Sequence, residues 1–355
     1  MIENSKVLVT GGAGFIGSNL IDALLAQNNV VICLDNFATG KRENLEAALK
    51  HPNFTLMMGD IRDYDACERA VEGCDYVLHQ AALGSVPRSI NDPMTSTDVN
   101  IGGFVKMLHA AKEAGVKRFV YAASSSTYGD HPGMPKVEHR FGNALSPYAI
   151  TKYVDELFAK NFSDIYGIET VGLRYFNVFG RRQDPDGAYA AVIPKFVSSL
   201  IKHKSPKING DGSYSRDFTY IDNVIQANQL AAVTPTDKFK KNLVQYNETI
   251  GEEYNPDKTI AEVFNVAFGE RTSLNELAEI LKENLGQFDN EIKNVVFKYG
   301  PTRQGDVPHS LASIEKGRTV IGYEPAFSVK HGLEAACGWY WKSIKAEVKA
   351  NAETL

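Results

Sequence analysis

Three consecutive serines, Ser124-Ser125-Ser126, lead through Thr127 and Tyr128 to Gly129, and Tyr148 and Lys152 follow at a spacing of four. On an α-helix that spacing projects both side chains from one face. A nearby ammonium favours a phenolate, and a tyrosine, which ordinarily ionises at about pH 10, needs such help to act as a base around neutrality. An ordinary helix pair has the same spacing, so its setting decides the matter. The serine run holds no carboxylate.

The elements around the pair are legible. Ser146 can cap a helix, Pro147 suits its first turn, and Val154, Leu157, Phe158 and Phe162 form an apolar side. Tyr148 therefore stands at a helix N-terminus, where the macrodipole also favours an anion. Upstream, short apolar runs at 7–10, 30–34, 54–58, 76–80 and 119–123 alternate with helix-length segments, and the succession continues to 171–177. Near-continuous apolar strands separated by helices predict a doubly wound α/β fold on a parallel sheet. After about residue 180 the alternation breaks, and a capping box, Ser273-x-x-Glu276, opens a helix through Leu277, Ile280 and Leu281. This divides the chain into 1–180, a nucleotide-binding domain to which later segments return, and 181–355, mainly a smaller lobe. Residues 234–260 are polar with weak periodicity and read as a surface insertion.

Composition sets the class. The chain has 355 residues, 43% hydrophobic and 23% charged, with a net charge of −5. These values fit a globular protein and exclude a polybasic footprint for nucleic acid or membrane. Cys33, Cys67, Cys74 and Cys337 show neither metal nor redox spacing, so inert thiols and no metal site are expected. No apolar run reaches membrane length and no leader pattern precedes the first strand, which suits a cytoplasmic protein.

The first strand ends in Gly11-Gly12-Ala13-Gly14-Phe15-Ile16-Gly17, just before a helix. Glycines 11, 14 and 17 permit a tight turn, a close approach of pyrophosphate to backbone N–H groups, and close helix-on-sheet packing. A plain strand-to-helix turn would explain the glycines alone. Asp35, at the end of the second strand, adds a carboxylate placed to accept hydrogen bonds from an adenosine ribose and to repel a 2′-phosphate. No arginine follows it directly, so NAD is favoured over NADP. Asp60, after the third strand, is placed to meet the adenine, or is a solvated loop carboxylate.

Together these pieces resemble the extended short-chain dehydrogenase/reductases, and within them the nucleotide-sugar 4-epimerases. The resemblance rests on the glycine motif, Asp35-Asn36, Gly59-Asp60-Ile61, His79-Gln80-Ala81-Ala82, Asn100, the serine run, and Tyr148-x-x-x-Lys152. Further along it takes in Tyr175-Phe176-Asn177, Arg216-Asp217-Phe218 and Arg303-x-Gly305-Asp306. It implies a Rossmann-type sheet with a C-terminal substrate lobe, and a resident NAD. That cofactor would be held by Gly11, Gly14, Phe15, Ile16, Gly17, Asp35, Asn36, Phe37, Thr39, Gly40, Asp60, Ile61, Gln80, Ala81, Ala82, Asn100, Tyr148, Lys152 and Tyr175. It implies that Tyr148 removes the sugar 4-hydroxyl proton as hydride passes to the nicotinamide. Lys152 would support that phenolate and hold the nicotinamide ribose, and Ser124 would bind the reacting oxygen. The family's dehydratases carry Asp and Glu where this chain has Ser125 and Ser126, and its decarboxylases carry Glu at the latter. Expelling a hydroxyl needs a general acid that serine cannot readily be. Epimerisation is therefore expected over elimination.

The resemblance also implies the sugar. Asn177, Arg216, Arg303 and Asp306 are similar to UDP-binding residues, and arginine suits phosphate through its planar fork. Ser310 falls where a bulky tyrosine goes with plain hexoses and a small residue admits a 2-N-acetyl group. Gly84, Ser125, Gln183 and Ala191 resemble the pocket wall of bacterial UDP-N-acetylglucosamine 4-epimerases, which feed O-antigen and capsule synthesis. Ser85, Ser126, Val192, Lys195 and Asn209 complete the expected set. A UDP-N-acetylhexosamine substrate and a homodimer built on two helices, 104–114 and the one starting at Tyr148, are expected. The enzymatic alternative is a UDP-N-acetylhexosaminuronic acid, with Arg88 or His309 meeting its carboxylate. Other classes are a silent NAD-binding sensor and a net oxidoreductase that releases oxidised sugar.

Overall fold

The computed structural model describes residues 1–184, 191–302 and 308–353, with side chains to residue 345. Strands β1 (Lys6–Thr10), β2 (Val30–Asp35), β3 (Phe54–Met58), β4 (Tyr76–His79), β5 (Arg118–Ser124) and β6 (Thr170–Tyr175) lie at the apolar runs. With Ala261–Val266 they form one seven-stranded sheet in the order β3-β2-β1-β4-β5-β6 followed by Ala261–Val266, every pair parallel. The chain winds outward from β1 to β3 and returns to β4 on the other side of β1. That reversal leaves a crevice at the carboxyl ends of β1 and β4, where open α/β sheets bind ligands.

The helices are α1 (Phe15–Leu25), α2 (Tyr64–Val71), α3 (Val86–Asn91), α4 (Pro93–Thr97), α5 (Phe104–Glu113), α6 (Pro147–Tyr166), α7 (Val192–Ile201), α8 (Ile221–Val233), α9 (Thr236–Ile250), α10 (Leu274–Leu285), α11 (Glu315–Ile321) and α12 (Val329–Glu353). Successive strand residues face opposite layers. Val7 and Val9 of β1 share one core with Leu20 and Leu24 of α1 and Val224 of α8. Leu8 belongs to the other, with Cys67 of α2, Phe104 and Leu108 of α5, and Phe162 of α6. The smaller lobe stacks α7, α10 and α12. The expected capping box is formed: Ser273 Oγ accepts from the Glu276 N–H at 3.2 Å, and the Glu276 carboxylate accepts from the Ser273 N–H at 2.8 Å.

Two features differ from the sequence reading. The polar, weakly periodic 234–260 stretch, read as a surface insertion, carries α9, whose Phe239, Leu243 and Tyr246 are buried. Their i, i+4, i+7 spacing anchors the helix against α11 while polar residues fill its outer face. Buried Arg118 fixes the preceding corner, donating to the carbonyls of Ala231 and Thr234 at 2.9 and 2.8 Å and to Glu169 at 2.8 Å. The second is the seventh strand, Ala261–Val266: it is a later segment returning to the first domain, but no strand was assigned there.

All four cysteines are buried, and burial pushes the Cys33 and Cys67 thiols up to about 12. No helix among the described residues is long and apolar enough to cross a membrane.

Candidate active site

The glycine turn closes over the β1–β4 crevice. Gly11 takes a left-handed φ of +66°, and a Cβ there would lie 2.7 Å from the Ala81 nitrogen. A Cβ on Gly17 would stand 2.3 Å from the Gly11 carbonyl oxygen, so α1 packs onto the turn only because both are glycine. At Gly14 an added Cβ would meet only the Gly11 oxygen, at 3.1 Å. No side chain caps α1, so its first N–H groups are open to an anion in a cavity of about 460 Å³ that begins here.

Along that cavity lie Gly11, Gly14, Phe15, Ile16, Gly17, Asp35, Asn36, Thr39, Gly40, Asp60, Ile61, Gln80, Ala81, Ala82, Gly84, Tyr175, Ser124, Tyr148 and Lys152. The Asp35 oxygens accept from the Ala13 and Phe37 N–H groups, both at 2.8 Å. Each carboxylate oxygen has two acceptor sites, so one remains on each for a ribose diol. The two Asp60 oxygens accept four bonds, from the Arg62 N–H, Nε and Nη2 and from Asn36 Nδ2, at 2.7 to 3.0 Å. Arg62's hydrogen bonds hold its carboxyl down at about 2. Asp60 thus lines the cavity with both oxygens already engaged, as a clamp on the Arg62 and Asn36 side chains. Gln80, Tyr175 and Asn228 close a ring of hydrogen bonds of 2.9 to 3.1 Å across the cavity floor.

Ser124, Tyr148 and Lys152 line one stretch of the same cavity. Ser146 Oγ caps α6 by accepting from the Ala149 N–H at 3.1 Å, with Pro147 in the first turn, as read from the sequence. Ser89 Oγ accepts from the Tyr148 N–H at 2.9 Å, pinning this helix start to α3. Ser124 ends β5, and its Oγ accepts from the Ser126 N–H at 3.2 Å and the Ser126 hydroxyl at 2.9 Å. With both contacts accepted, the Ser124 proton is free to be donated into the cavity. Burial raises the Tyr128 and Tyr175 phenols, so these neighbouring tyrosines stay neutral donors.

A second cavity of about 600 Å³ shares Ser124 and Asn177 with the first. Ser125, Ser126, Arg216 and Ser310 line it, together with Val86, Ile90, Phe176 and Lys136. Its described lining has two cations and no carboxylate. Buried Asp217 fixes the segments around Arg216 and Ser310, accepting from the N–H groups of Phe268, Gly269 and Ala312 at 3.1 to 3.2 Å.

Several expected residues lie elsewhere. Phe37, with φ +57°, packs toward the core, not into the cavity. Asn100 is buried in a widened helical turn before α5. Its amide braces Leu83 (N–H to Oδ1, 2.7 Å) and Thr151 (3.1 Å) instead of lining the cavity. Ser85 caps α3, and Gln183 Nε2 donates to the Val178 carbonyl at 2.9 Å. Ala191, Val192 and Lys195 open α7, and Asn209 pairs with Gly300 in a short parallel ladder. None of these lines either cavity among the described residues. Arg303 and Asp306 lie outside the described residues. Neither Arg88 nor His309 lines the second cavity; His309 Nδ1 is 2.9 Å from Ser215 Oγ.

Lys136 was missed. It is buried in the loop after β5, and its peptide N–H donates to the Leu311 carbonyl at 2.7 Å, beside Ser310. Its ammonium donates to the His131 carbonyl, and no carboxylate pairs with it among the described residues. Burial lowers its pKa. The local sequence Pro-Lys-Val-Glu has no period or motif that would have flagged it.

The profile of the NAD dependent epimerase/dehydratase family matches residues 7–247. A putative UDP-glucose 4-epimerase of Methanocaldococcus jannaschii is 35% identical over 94% of this chain and 97% of its own. Among solved structures, a UDP-N-acetylglucosamine 4-epimerase from Methanobrevibacter ruminantium in complex with UDP-N-acetylmuramic acid is 37% identical, with a TM-score of 0.81. That alignment covers 96% of this chain and all (100%) of the other. A UDP-glucuronic acid 4-epimerase from Bacillus cereus, in complex with UDP-glucuronic acid and NAD, is 28% identical with a TM-score of 0.79, covering 95% of this chain and 99% of its own.

Proposed function

Because the chain belongs to the NAD-dependent epimerase/dehydratase family, we propose that it is a UDP-sugar 4-epimerase whose substrate is UDP-N-acetylglucosamine, interconverted with UDP-N-acetylgalactosamine. One observation carries the reaction type: Tyr148, Lys152 and Ser124 all line the first cavity, and Ser124 also lines the second. The uncapped α1 terminus, the Gly14 opening and the spare acceptor sites of Asp35 suit a dinucleotide in the first cavity. When bound, NAD supplies a hydride acceptor that also returns the hydride. Tyr148 takes the 4-hydroxyl proton and gives it back, Lys152 supports the phenolate, and Ser124 donates a hydrogen bond to the reacting oxygen. The described lining of the second cavity offers no carboxylic acid that could expel a hydroxyl, which supports epimerisation over dehydration.

Small walls support the acetylated sugar. Ser310, a small residue, lines the second cavity, where the sugar is placed. The test is incubation with UDP-N-acetylglucosamine, UDP-glucose and their 6-carboxylate forms, with products resolved by NMR. The expected result is a kcat/KM for UDP-N-acetylglucosamine at least about 10-fold above that for UDP-glucose, the scale on which a pocket discriminates an apolar group. Good turnover of UDP-glucose with UDP-N-acetylglucosamine untouched would refute the assignment. Lys136 favours a second reading, a hexuronate, because a buried ammonium in the sugar cavity suits a carboxylate. The 6-carboxylate arm decides it.

An exposed face of α6 supports a homodimer. Ile150, Leu157 and Ile165, spaced by two helical turns, are 50%, 50% and 62% exposed, and Met94 on α4 is 82% exposed. Such an apolar stripe suits a helix-to-helix homodimer. Light scattering should give a mass near twice 39.1 kDa, and Leu157→Glu should return it to the monomer value.

A further inference from the structure

The reaction above leaves Asp155 unused. It lies three residues beyond Lys152 on α6, is 0% exposed, and its Oδ2 stands 3.3 Å from Lys152 Nζ. Its other oxygen, Oδ1, has no hydrogen-bond partner among the described residues. A half-satisfied buried carboxylate is costly, and a neutral residue here would cost less. Lys152 reaches the first cavity and Asp155 does not. The charged groups that act on Asp155 are Lys152 and Glu156 on its own helix, and it faces the Tyr121 phenol on β5, which in turn feels Arg174 on β6 and Glu262 on the seventh strand. Arg174 is engaged by Glu156 through two bonds of 2.9 and 2.8 Å. His79 on β4, which feels the charge of Lys152, is driven down to about 3 by burial and stays neutral. Among the described residues, the only cation within ion-pair distance of Asp155 is therefore Lys152.

We propose that Asp155 is a positioning residue for the Tyr148–Lys152 pair: it tethers the lysine ammonium from outside the cavity and, when ionised, opposes the charge that Lys152 lends to the Tyr148 phenolate. This rests on Tyr148 being the base. The physical basis is that a cation a few ångströms from a phenol favours its anion, and a carboxylate against that cation cancels part of the effect. Burial raises the Asp155 carboxyl from 3.8 to about 7, against the lowering influence of Lys152. In the unfolded chain the group ionises near its ordinary value, so between the two values the folded state holds a proton that the unfolded state has lost. Stability is therefore lost as pH rises through that window, and Asp155→Asn removes the loss.

The test compares wild-type holoenzyme with Asp155→Asn and Asp155→Ala, each also made in combination with Tyr148→Phe. Subtracting the spectrum of the matching Tyr148→Phe protein isolates one phenolate absorbance, at about 295 nm, from the 16 tyrosines of the chain. Asp155→Asn keeps an acceptor for Nζ and removes the charge. The midpoint of that absorbance should fall by about half a pH unit or more, and the melting-temperature gain over wild type should grow from pH 5 to pH 8. At the plateau of the pH–rate profile, Asp155→Asn should stay within about 3-fold of wild type. Asp155→Ala, which has no tether, should lose about 10-fold in kcat with little change in KM. An unmoved midpoint in Asp155→Asn, or equal kcat in the two variants, would overturn the proposal. The absorbance needs no sugar, so a shifted midpoint without UDP-sugar turnover would reject the epimerase assignment alone.

Discussion

Tyr148→Phe is expected to lower kcat by about 10³-fold, within the range a positioned acid–base group supplies, while the purified protein keeps its NAD. The phenol oxygen is the only group removed. Helix α6 still starts at the Ser146 cap, and Ser89 still accepts from the peptide N–H at 148. Neither nearby phenol can take over. Tyr128 donates to Asn265 Oδ1 at 2.6 Å and Tyr175 to Gln80 at 3.0 Å, and burial raises both away from ionisation. Retained NAD with collapsed turnover separates an enzyme from a silent NAD-binding sensor, which would show no turnover to lose. Free NADH accumulating during wild-type turnover would identify a net oxidoreductase instead. Wild-type kcat in the variant would mean that another base does the work.

Ser310→Tyr should lower kcat/KM for UDP-N-acetylglucosamine by about 10²-fold while changing that for UDP-glucose less than about 3-fold. The Ser310 N–H donates to the Ser215 carbonyl at 3.1 Å, which fixes where the side chain enters the second cavity. A phenol ring added there competes with a 2-acetamido group for the same space. Over-filling a packed site costs about 1–3 kcal/mol, about 5- to 150-fold, and a whole phenol ring stands at the upper end of that range. Plain UDP-glucose lacks that group and should escape most of the penalty. Equal losses on both sugars would mean that residue 310 supports the fold of the pocket and does not select the sugar.

The parts of this molecule that were legible in the sequence are those whose physics is local. The β1 glycine turn, Asp35, the Ser146 cap and the Tyr148–Lys152 face depend on neighbours within one or two turns of chain. Ala261–Val266 escaped notice because Glu262 and Asn265 interrupt its apolar run. Asn265 is buried and polar because it joins distant segments: it accepts from Tyr128 and donates to the Lys136 and Ser313 carbonyls, both at 3.0 Å. Helix α9 was hidden by composition, although the spacing of Phe239, Leu243 and Tyr246 would have revealed it. The second cavity was the least legible part. Lys136 reaches it through a loop, and Gln183, Lys195 and Asn209 do not line it among the described residues, since their placement depends on packing between distant segments.

The seventh strand also bears on how the protein is made. β6 pairs with β5 on one side and with Ala261–Val266 on the other. During synthesis β6 leaves the ribosome well before its second partner, so for that interval it presents a bare, apolar strand edge. Such an edge invites pairing with the wrong chain. The interval also delays the second cavity, because Asn265 arrives on that last strand and only then braces Tyr128 and Lys136. A nascent chain stopped short of residue 261 holds the glycine turn and the Tyr148 helix in full and still lacks the brace behind its second cavity.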